Sequence, residues 1–419
     1  MRFEKLDQWL AWQQALHPHT IELGLERVSA VARRLDLLTP AHKIITVAGT
    51  NGKGSCVAML EAILLEAGYR VGSYTSPHLL RYNERVCVQR ETVSDDALCR
   101  AFERVDGARE DTSLSYFEFG TLAAMLIFAQ SRLDVAILEV GLGGRLDAVN
   151  VQAPDCALIS SIDLDHTEWL GDDREAIGHE KAGILRARTP AVCGDPDPPG
   201  SINRCATNVQ AALYQLGRDF EFSCTRAEWT WRARSLCYEG LPLPALHGAV
   251  QLQNAATALM ALTALSDTLP TNETHIRAGL KHVALAGRFQ RLPGAVETIV
   301  DIAHNPAGTR ALAATLRSSP AAGRTFGVFA VLGDKDAASM VASIESVIDR
   351  WYLAANRSGR ALPVNDLHAL LRSRVVASSE SFESVSQAYK AAVRSARAGD
   401  RIVVFGSAYT VAEVLALHV

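Results

Sequence analysis

The stretch with the most specific chemistry is Lys43 to Ser55. An apolar, β-branched run (Ile44, Ile45, Val47) stops at Gly49-Thr50-Asn51-Gly52-Lys53-Gly54-Ser55. Beyond it the apolar residues recur at helical spacing: Val57, Met59, Leu60, Ile63, Leu64. The expected order is strand, turn, helix. The glycines carry no Cβ, so backbone N–H groups of the turn can close around an anion. The next helix points its positive end at the same place, and Lys53 adds a full charge. The set suits a nucleotide triphosphate. It departs from G-x-x-x-x-G-K-[ST], because Gly54 stands where the hydroxyl belongs and Ser55 comes one place later. A tight strand-to-helix turn with a surface lysine is the plain alternative.

Other polar groups fall where strands are expected to end, the edge on which parallel α/β sheets bind ligands. Ser76 comes after a strand over 69–74, either as a hydroxyl for a metal or phosphate or as a turn serine before Pro77. Glu139 closes the strand 134–140, which is apolar on both faces as parallel strands are. A single carboxylate there is where nucleotide-hydrolysing folds hold magnesium; a salt-bridge partner is the alternative. Asp163-Leu164-Asp165-His166 comes after a strand over 156–162. Lys181 lies in a helix over 175–185 and by itself looks like an ordinary solvated lysine. Further on, Asp301-Ile302-Ala303-His304, Gly333-Asp334-Lys335-Asp336 and Gly406-Ser407 repeat the arrangement.

These residues need a two-part scaffold. The 419 residues exceed one ordinary core. Helices are expected at 3–16, 26–38, 94–105, 115–131, 201–216, 253–265 and 273–283, with short edge strands between 219 and 247. The pattern breaks at Gly287 and again at Pro293-Gly294. That puts a boundary near 285–295 and domains at 1–287 and 288–419. Strands near 296–301, 325–332, 350–355, 374–377 and 401–405 alternate with helices in the second. The fold class is α/β: an N-terminal P-loop-type parallel-sheet ATPase domain and a smaller C-terminal Rossmann-like domain, with the site expected in the cleft between them.

A net charge of −4 without single-sign blocks argues against nucleic acid or a membrane surface as partner. No apolar run approaches the ~18 residues of a membrane span, and the N-terminus reads as an amphipathic helix, not a leader. Eight scattered cysteines without C-x-x-C read as reduced, buried thiols of a cytoplasmic protein. A monomer is expected.

A switch or motor would need the cradle and one carboxylate. A cleft with His166 and Lys181 near the terminal phosphate suits a ligase. Oxide is too poor a leaving group for a carboxylate to join an amine directly. Phosphorylation replaces it with phosphate, a transfer that needs in-line geometry and cations around the γ-phosphoryl group.

At this point the chain resembles the folylpolyglutamate synthase/dihydrofolate synthase family of the Mur ligase superfamily. The matching stretches are 20–28, 47–55, 75–79, 115–121, 138–148, 165–171, 180–184, 254–259, 287–290, 301–306, 334–336 and 406–412, in family order. The resemblance implies a Mur ligase-like fold and an ATP-dependent ligase. Such an enzyme joins L-glutamate to dihydropteroate, giving dihydrofolate, and adds glutamates to reduced folates through an acyl phosphate. Thr50, Asn51, Gly52 and Lys53, with Gly54 and Ser55 completing the loop, would hold the ATP phosphates. Two Mg2+ ions are implied, one on Ser76 and Glu139 and one on Glu139 and His166. Lys181 matches a carbamylated lysine. Asn254, Arg288 and Asp301 would contact ATP, Asp301 at the ribose. Glu22, Leu23, Gly24 and Leu25, Ser115, Tyr116, Phe117 and Glu118, and Leu146, Asp147 and Ala148 match a pterin pocket. His304 and Ser407 fall near the incoming glutamate.

Two departures stand out. Ala148-Val149-Asn150 loses a threonine hydroxyl, and Ser407 is succeeded by Ala408-Tyr409 instead of Phe or His. The alternatives are a folylpolyglutamate synthase alone, a peptidoglycan-type Mur ligase, or a nucleotide-binding regulator. The second expects a domain ahead of the phosphate loop, for which residues before 49 leave no room. The third expects loss of Lys53, Glu139 or His166, and all three are present.

Overall fold

A computed structural model of the chain describes residues 2–19, 21–225, 227–234, 236–372 and 378–418. The chain forms two compact units: Met1–Ala245 with Leu252–Val283, and Leu246–Gln251 with Ala284–Val419.

The first unit is built on eight strands: β1 (Lys43–Ala48), β2 (Val71–Tyr74), β3 (Val86–Val88), β4 (Glu91–Thr92), β5 (Val135–Glu139), β6 (Cys156–Ile159), β7 (Pro190–Cys193) and β8 (Ala212–Gln215). Their order is β4-β3-β2-β5-β1-β6-β7-β8. From β2 to β8 every pairing is parallel, so the carboxyl ends share one edge. The phosphate-loop strand β1 sits centrally, with Val47 opposite Glu139 of β5 and Ala48 opposite Ile159 of β6. β1, β5 and β6 are buried on both faces, which is why they read as continuous apolar runs. The helix Tyr116–Gln130 is likewise apolar all round and buried almost throughout. Trp9, fully buried on the helix Leu6–Leu16, packs its ring against Phe102 and Phe119. The helix Glu273–His282 approaches Lys53–Glu66 so closely that a Cβ on Gly279 would stand 2.7 Å from Ile63 Cα. Phosphate loop and covering helix are therefore fixed from behind.

Several sequence expectations change here. The helix expected over 201–216 spans Gly200–Val209 and stops at Gln210, whose φ of 59° is left-handed; the chain then turns into β8, which pairs with β7. The strands of 219–247 do not lie on an edge of the main sheet. β9 (Phe220–Cys224), β10 (Glu228–Ala233) and β11 (Leu236–Pro242) make their own antiparallel sheet. Trp229 and Trp231, two residues apart, are both buried, and Trp231 Nε1 donates to the Ala256 carbonyl at 3.1 Å. The second helix ends at Arg34, four residues early, with Asp36 left-handed. The cysteines are all free, but Cys224 and Cys237 on the small sheet are exposed, so burial is not general.

The second unit carries β12 (Gln290–Leu292), β13 (Glu297–Asp301), β14 (Thr325–Phe329), β15 (Arg350–Ala354), β16 (Ser379–Phe382) and β17 (Arg401–Phe405), in the order β12-β13-β17-β14-β15-β16. All pairings but β12–β13 are parallel. The strand expected at 374–377 lies outside the described residues. Phe329, Trp351 and Phe405 are fully buried and pack edge-on or tilted against one another, with Phe329 and Phe405 ring centroids 4.9 Å apart. Among the described residues no helix is long and apolar enough to cross a membrane.

Candidate active site

In the first unit, the loop after β1 is held by the end of β6. Thr50 N–H donates to Ser161 O at 2.7 Å, and Thr50 Oγ1 both donates to Asp163 O and accepts from Asp163 N–H at 3.0 Å. Ser160 Oγ and Ser161 Oγ donate to Asn51 O at 2.6 and 3.0 Å. The glycines are sterically required. A Cβ on Gly49 would meet Ser160 Oγ at 2.0 Å, and Gly52 has a left-handed φ of 86° with Asn254 Oδ1 2.5 Å from where its Cβ would be. Lys53 Nζ curls over the loop and donates to Gly49 O and Thr50 O at 3.0 and 3.3 Å. Gly54 and Ser55 are buried in the first helical turn. Ser160 and Ser161 escape a reading of the sequence, because the acidic run just after them is the louder signal. Hydroxyls at the end of a strand neighbouring β1 are the feature that could have marked them.

Either side of the loop stand the other polar groups. Glu139 ends β5, and its Oε2 accepts Ser76 N–H at 3.0 Å, which joins the ends of β2 and β5. His166 comes after β6 in a left-handed conformation, with Nε2 4.0 Å from Asp165 Oδ1. Lys181 is buried in the helix Arg174–Ala182. Burial and the charge of Lys53 push its ammonium down to about 7, against the attraction of Asp165 and Asp147. These influences place Lys181 in the electrostatic neighbourhood of the phosphate-loop lysine. Burial raises the Asp147 carboxyl to about 6, although it accepts N–H groups of Leu142 (2.8 Å) and Val149 (3.1 Å). Among the described residues no three His, Cys, Asp or Glu side chains gather into a ready-made metal cage. Magnesium keeps waters and takes one or two carboxylates plus phosphate oxygens, so Glu139 with the Ser76 hydroxyl and His166 would be chemically sufficient donors for it.

The three stretches expected around a pterin also come together. Arg27 reaches Glu22 with one guanidinium nitrogen and Glu118 Oε1 with the other, at 3.1 Å. Glu22 Oε2 is also 2.6 Å from His17 Nε2, and its carboxyl is pulled down chiefly by that hydrogen bond. Gly24 N–H donates to Leu146 O at 3.2 Å. Ser115 and Glu118 form a reciprocal cap on the helix Tyr116–Gln130. Ala148 is buried in a short 3-10 turn capped by Asp147. Leu23 and Leu25 are half-buried beside them, and Phe117 packs on Gly141, where a Cβ would meet its ring at 2.6 Å. Arg27, which ties Glu22 to Glu118, and His17 are additions from the structure; nothing in a sequence marks an arginine in a helix's first turn as a link between two carboxylates.

The second unit gathers its set at the carboxyl ends of β13, β17 and β14. Asp301 accepts Phe289 N–H and Ala303 N–H, each at 2.8 Å; burial pushes its carboxyl up and Arg288 pulls it back. His304 Nδ1 lies 3.0 Å from Ile302 O, which makes that nitrogen the proton carrier. Ser407 is buried and caps the helix Ala408–Leu415. Its Oγ accepts Thr410 N–H at 3.0 Å and Asn356 Nδ2–H at 3.2 Å, so it positions that helix. Asn254 belongs to the first unit and lies over Gly52.

Two domain models match the chain: the Mur ligase middle domain over residues 47–208 and the Mur ligase, glutamate ligase domain over residues 287–408. The dihydrofolate synthase/folylpolyglutamate synthase of Escherichia coli (strain K12) is 46% identical over 410 residues, 98% of this chain and 94% of the relative. That of Haemophilus influenzae is 40% identical over 433 residues, 98% and 97%. Among solved structures, E. coli FolC in complex with DHPP and ADP superposes with a TM-score of 0.95 at 45% identity, covering 99% of this chain and 98% of the other. A bifunctional folylpolyglutamate synthase/dihydrofolate synthase with Mn, AMPPNP and L-glutamate bound gives 0.92 at 45% identity, covering 99% and 98%.

Proposed function

The chain belongs to the dihydrofolate synthase/folylpolyglutamate synthase family of Mur ligases, and on that basis we propose how its own residues carry the reaction. It is an ATP-dependent ligase that joins L-glutamate to dihydropteroate and adds further glutamates to reduced folates. Its substrates are small molecules, and it works as a cytoplasmic monomer.

The loop Thr50–Ser55 and Lys53 hold the ATP phosphates. Asn254, Arg288 and Asp301 contact the nucleotide, Asp301 at the ribose hydroxyls. Glu22–Leu25, Ser115–Glu118 and Leu146–Ala148 hold the pterin, and His304 and Ser407 serve the incoming glutamate, Ser407 through the helix it caps. The acceptor carboxylate attacks the γ-phosphorus, the bond from that phosphorus to the β,γ-bridging oxygen breaks, and ADP leaves. The acyl phosphate formed is attacked by the glutamate amine, and the tetrahedral intermediate expels phosphate. Ser76, Glu139 and His166 would hold two Mg2+ ions, whose charge would offset that of the transferring phosphoryl group. Lys181 is the residue that reacts with CO2. Only a neutral amine adds CO2, and burial with the nearby charge of Lys53 pushes the Lys181 ammonium down to about 7, which favours the neutral form. The carbamate then adds a negative charge among cations.

The observation that carries this reading is the shared edge of β2, β5, β1 and β6, which puts Ser76, Glu139, the phosphate loop and the His166 loop side by side. The test is a side-by-side assay of dihydropteroate and tetrahydrofolate as acceptors, with ATP, magnesium and L-glutamate. ADP, phosphate and a glutamylated product are expected from both. No product from either refutes the activity; product from tetrahydrofolate alone leaves a folylpolyglutamate synthase.

A further inference from the structure

Arg85 is a buried cation that the protein does not neutralise. It ends the turn Tyr82–Arg85 and is 9% exposed. Its Nε donates to His78 Nδ1 at 2.9 Å, and its guanidinium lies over the rings of Tyr82 and Tyr116, 5.4 and 5.7 Å from their centroids. Among the described residues no carboxylate comes within 4.0 Å of it. The acid beside it in sequence, Glu84, is turned away and accepts the N–H groups of Leu79, Leu80 and Arg81. His78 accepts through a ring nitrogen and brings no negative charge. A guanidinium removed from water with only neutral partners is costly unless an anion joins it.

The neighbours of Arg85 identify the anion. Its carbonyl accepts Thr75 N–H at 2.9 Å, so the residue is anchored beside Ser76 at the end of β2. Tyr116, on its other side, opens the helix whose first turn belongs to the acceptor pocket. Arg85 immediately precedes β3, and in the sheet order β3-β2-β5-β1 that strand lies beyond β2 and β5 from the phosphate-loop strand. That is the acceptor side of the site, away from ATP. We propose that Arg85 is a substrate-binding residue that pairs with a carboxylate of the pterin-containing acceptor, an inference that rests on the ligase reading above. Dihydropteroate offers one carboxylate, the one to be activated. A folate offers a second, the α-carboxylate of its glutamate, which does not react.

The test is equilibrium binding of dihydropteroate, its decarboxylated analogue and tetrahydrofolate to the full-length wild type, Arg85→Gln and Arg85→Lys. Binding of an ATP analogue serves as the control for folding. The wild type is expected to bind dihydropteroate or tetrahydrofolate at least tenfold more tightly than Arg85→Gln does, with Arg85→Lys recovering part of the loss. A loss on both acceptors, with the preference over the decarboxylated analogue erased, assigns the reacting carboxylate. A loss on tetrahydrofolate alone assigns the α-carboxylate. Unchanged binding of both acceptors to Arg85→Gln overturns the proposal. If Arg85→Gln does not fold, Arg85→Lys decides: affinity equal to the wild type for both acceptors overturns it, because the planar fork would have no role. A wild type that binds neither acceptor sinks the ligase reading itself, and this inference with it.

Discussion

Replacing Lys181 by methionine separates what the site costs the fold from what it gives the reaction. The ammonium of Lys181 is buried and titrates at about 7 in the folded chain, against 10.5 for an ordinary lysine. Between those values the unfolded chain holds a proton that the folded chain does not. Stability therefore rises with pH across the window, and is lowest, as far as this group is concerned, at pH 7 and below. Each pH unit is worth ~1.4 kcal/mol, and the whole window about 5 kcal/mol as an upper bound. Lys181→Met removes the penalty without opening a cavity. In CO2-free buffer the variant should exceed the wild type in stability by several kcal/mol near pH 7, and that margin should shrink by ~2 kcal/mol between pH 7 and 9. Urea unfolding at a series of pH values reads this directly, as the difference between the two chains. Bicarbonate should stabilise the wild type alone, by binding only its folded form. Turnover should collapse in the variant while affinity for an ATP analogue stays within a fewfold. A margin that does not change with pH, or a variant less stable throughout, would refute the argument from burial. Unchanged kcat would refute the carbamate.

Gly49→Ala should abolish nucleotide binding by calorimetry, because its Cβ would stand 2.0 Å from Ser160 Oγ and Thr50–Asn51 would have to move; wild-type affinity would show that the loop is not the cradle. Arg27→Ala leaves the Glu118 carboxylate, which is buried, without its cation. It should raise the KM for dihydropteroate at least tenfold with the KM for ATP unchanged, and equal shifts in both would mean a general loss of structure. Asp301→Ala removes the acceptor of two backbone N–H groups. A loss of ~1–3 kcal/mol in the stability of the second unit is expected, along with weaker ATP binding. Asp301→Asn, which keeps one oxygen, should restore most of the stability but not the binding. Chelation of magnesium should stop product formation, and manganese should restore it.

Features governed by short-range chemistry are legible in the residues alone. Gly49, Gly52 and Lys53 between an apolar strand and a helical pattern specify an anion turn, because no Cβ fits beside Ser160 and none is tolerated at the left-handed φ of Gly52. The runs at 134–140 and 401–405 specify buried parallel strands, and so the edge on which Glu139 and Ser407 stand. The ordered series of motifs specifies the family. Other features depend on partners distant in the chain, and only the folded molecule reveals them. Gln210 to Gln215 forms a turn and a strand, because β7 offers an open edge stronger than the helical pattern. The 219–242 strands leave the main sheet and make their own, in which Trp231 hydrogen-bonds to Ala256 of the helix Ala249–Ala264. Lys181 reads as solvated in sequence and is buried in space, and Arg85 and Arg27 carry no mark at all. The hydrophobic pattern reports which face of an element is covered. The charge state of a buried side chain is set by whichever residues, tens of positions away, the fold brings against it.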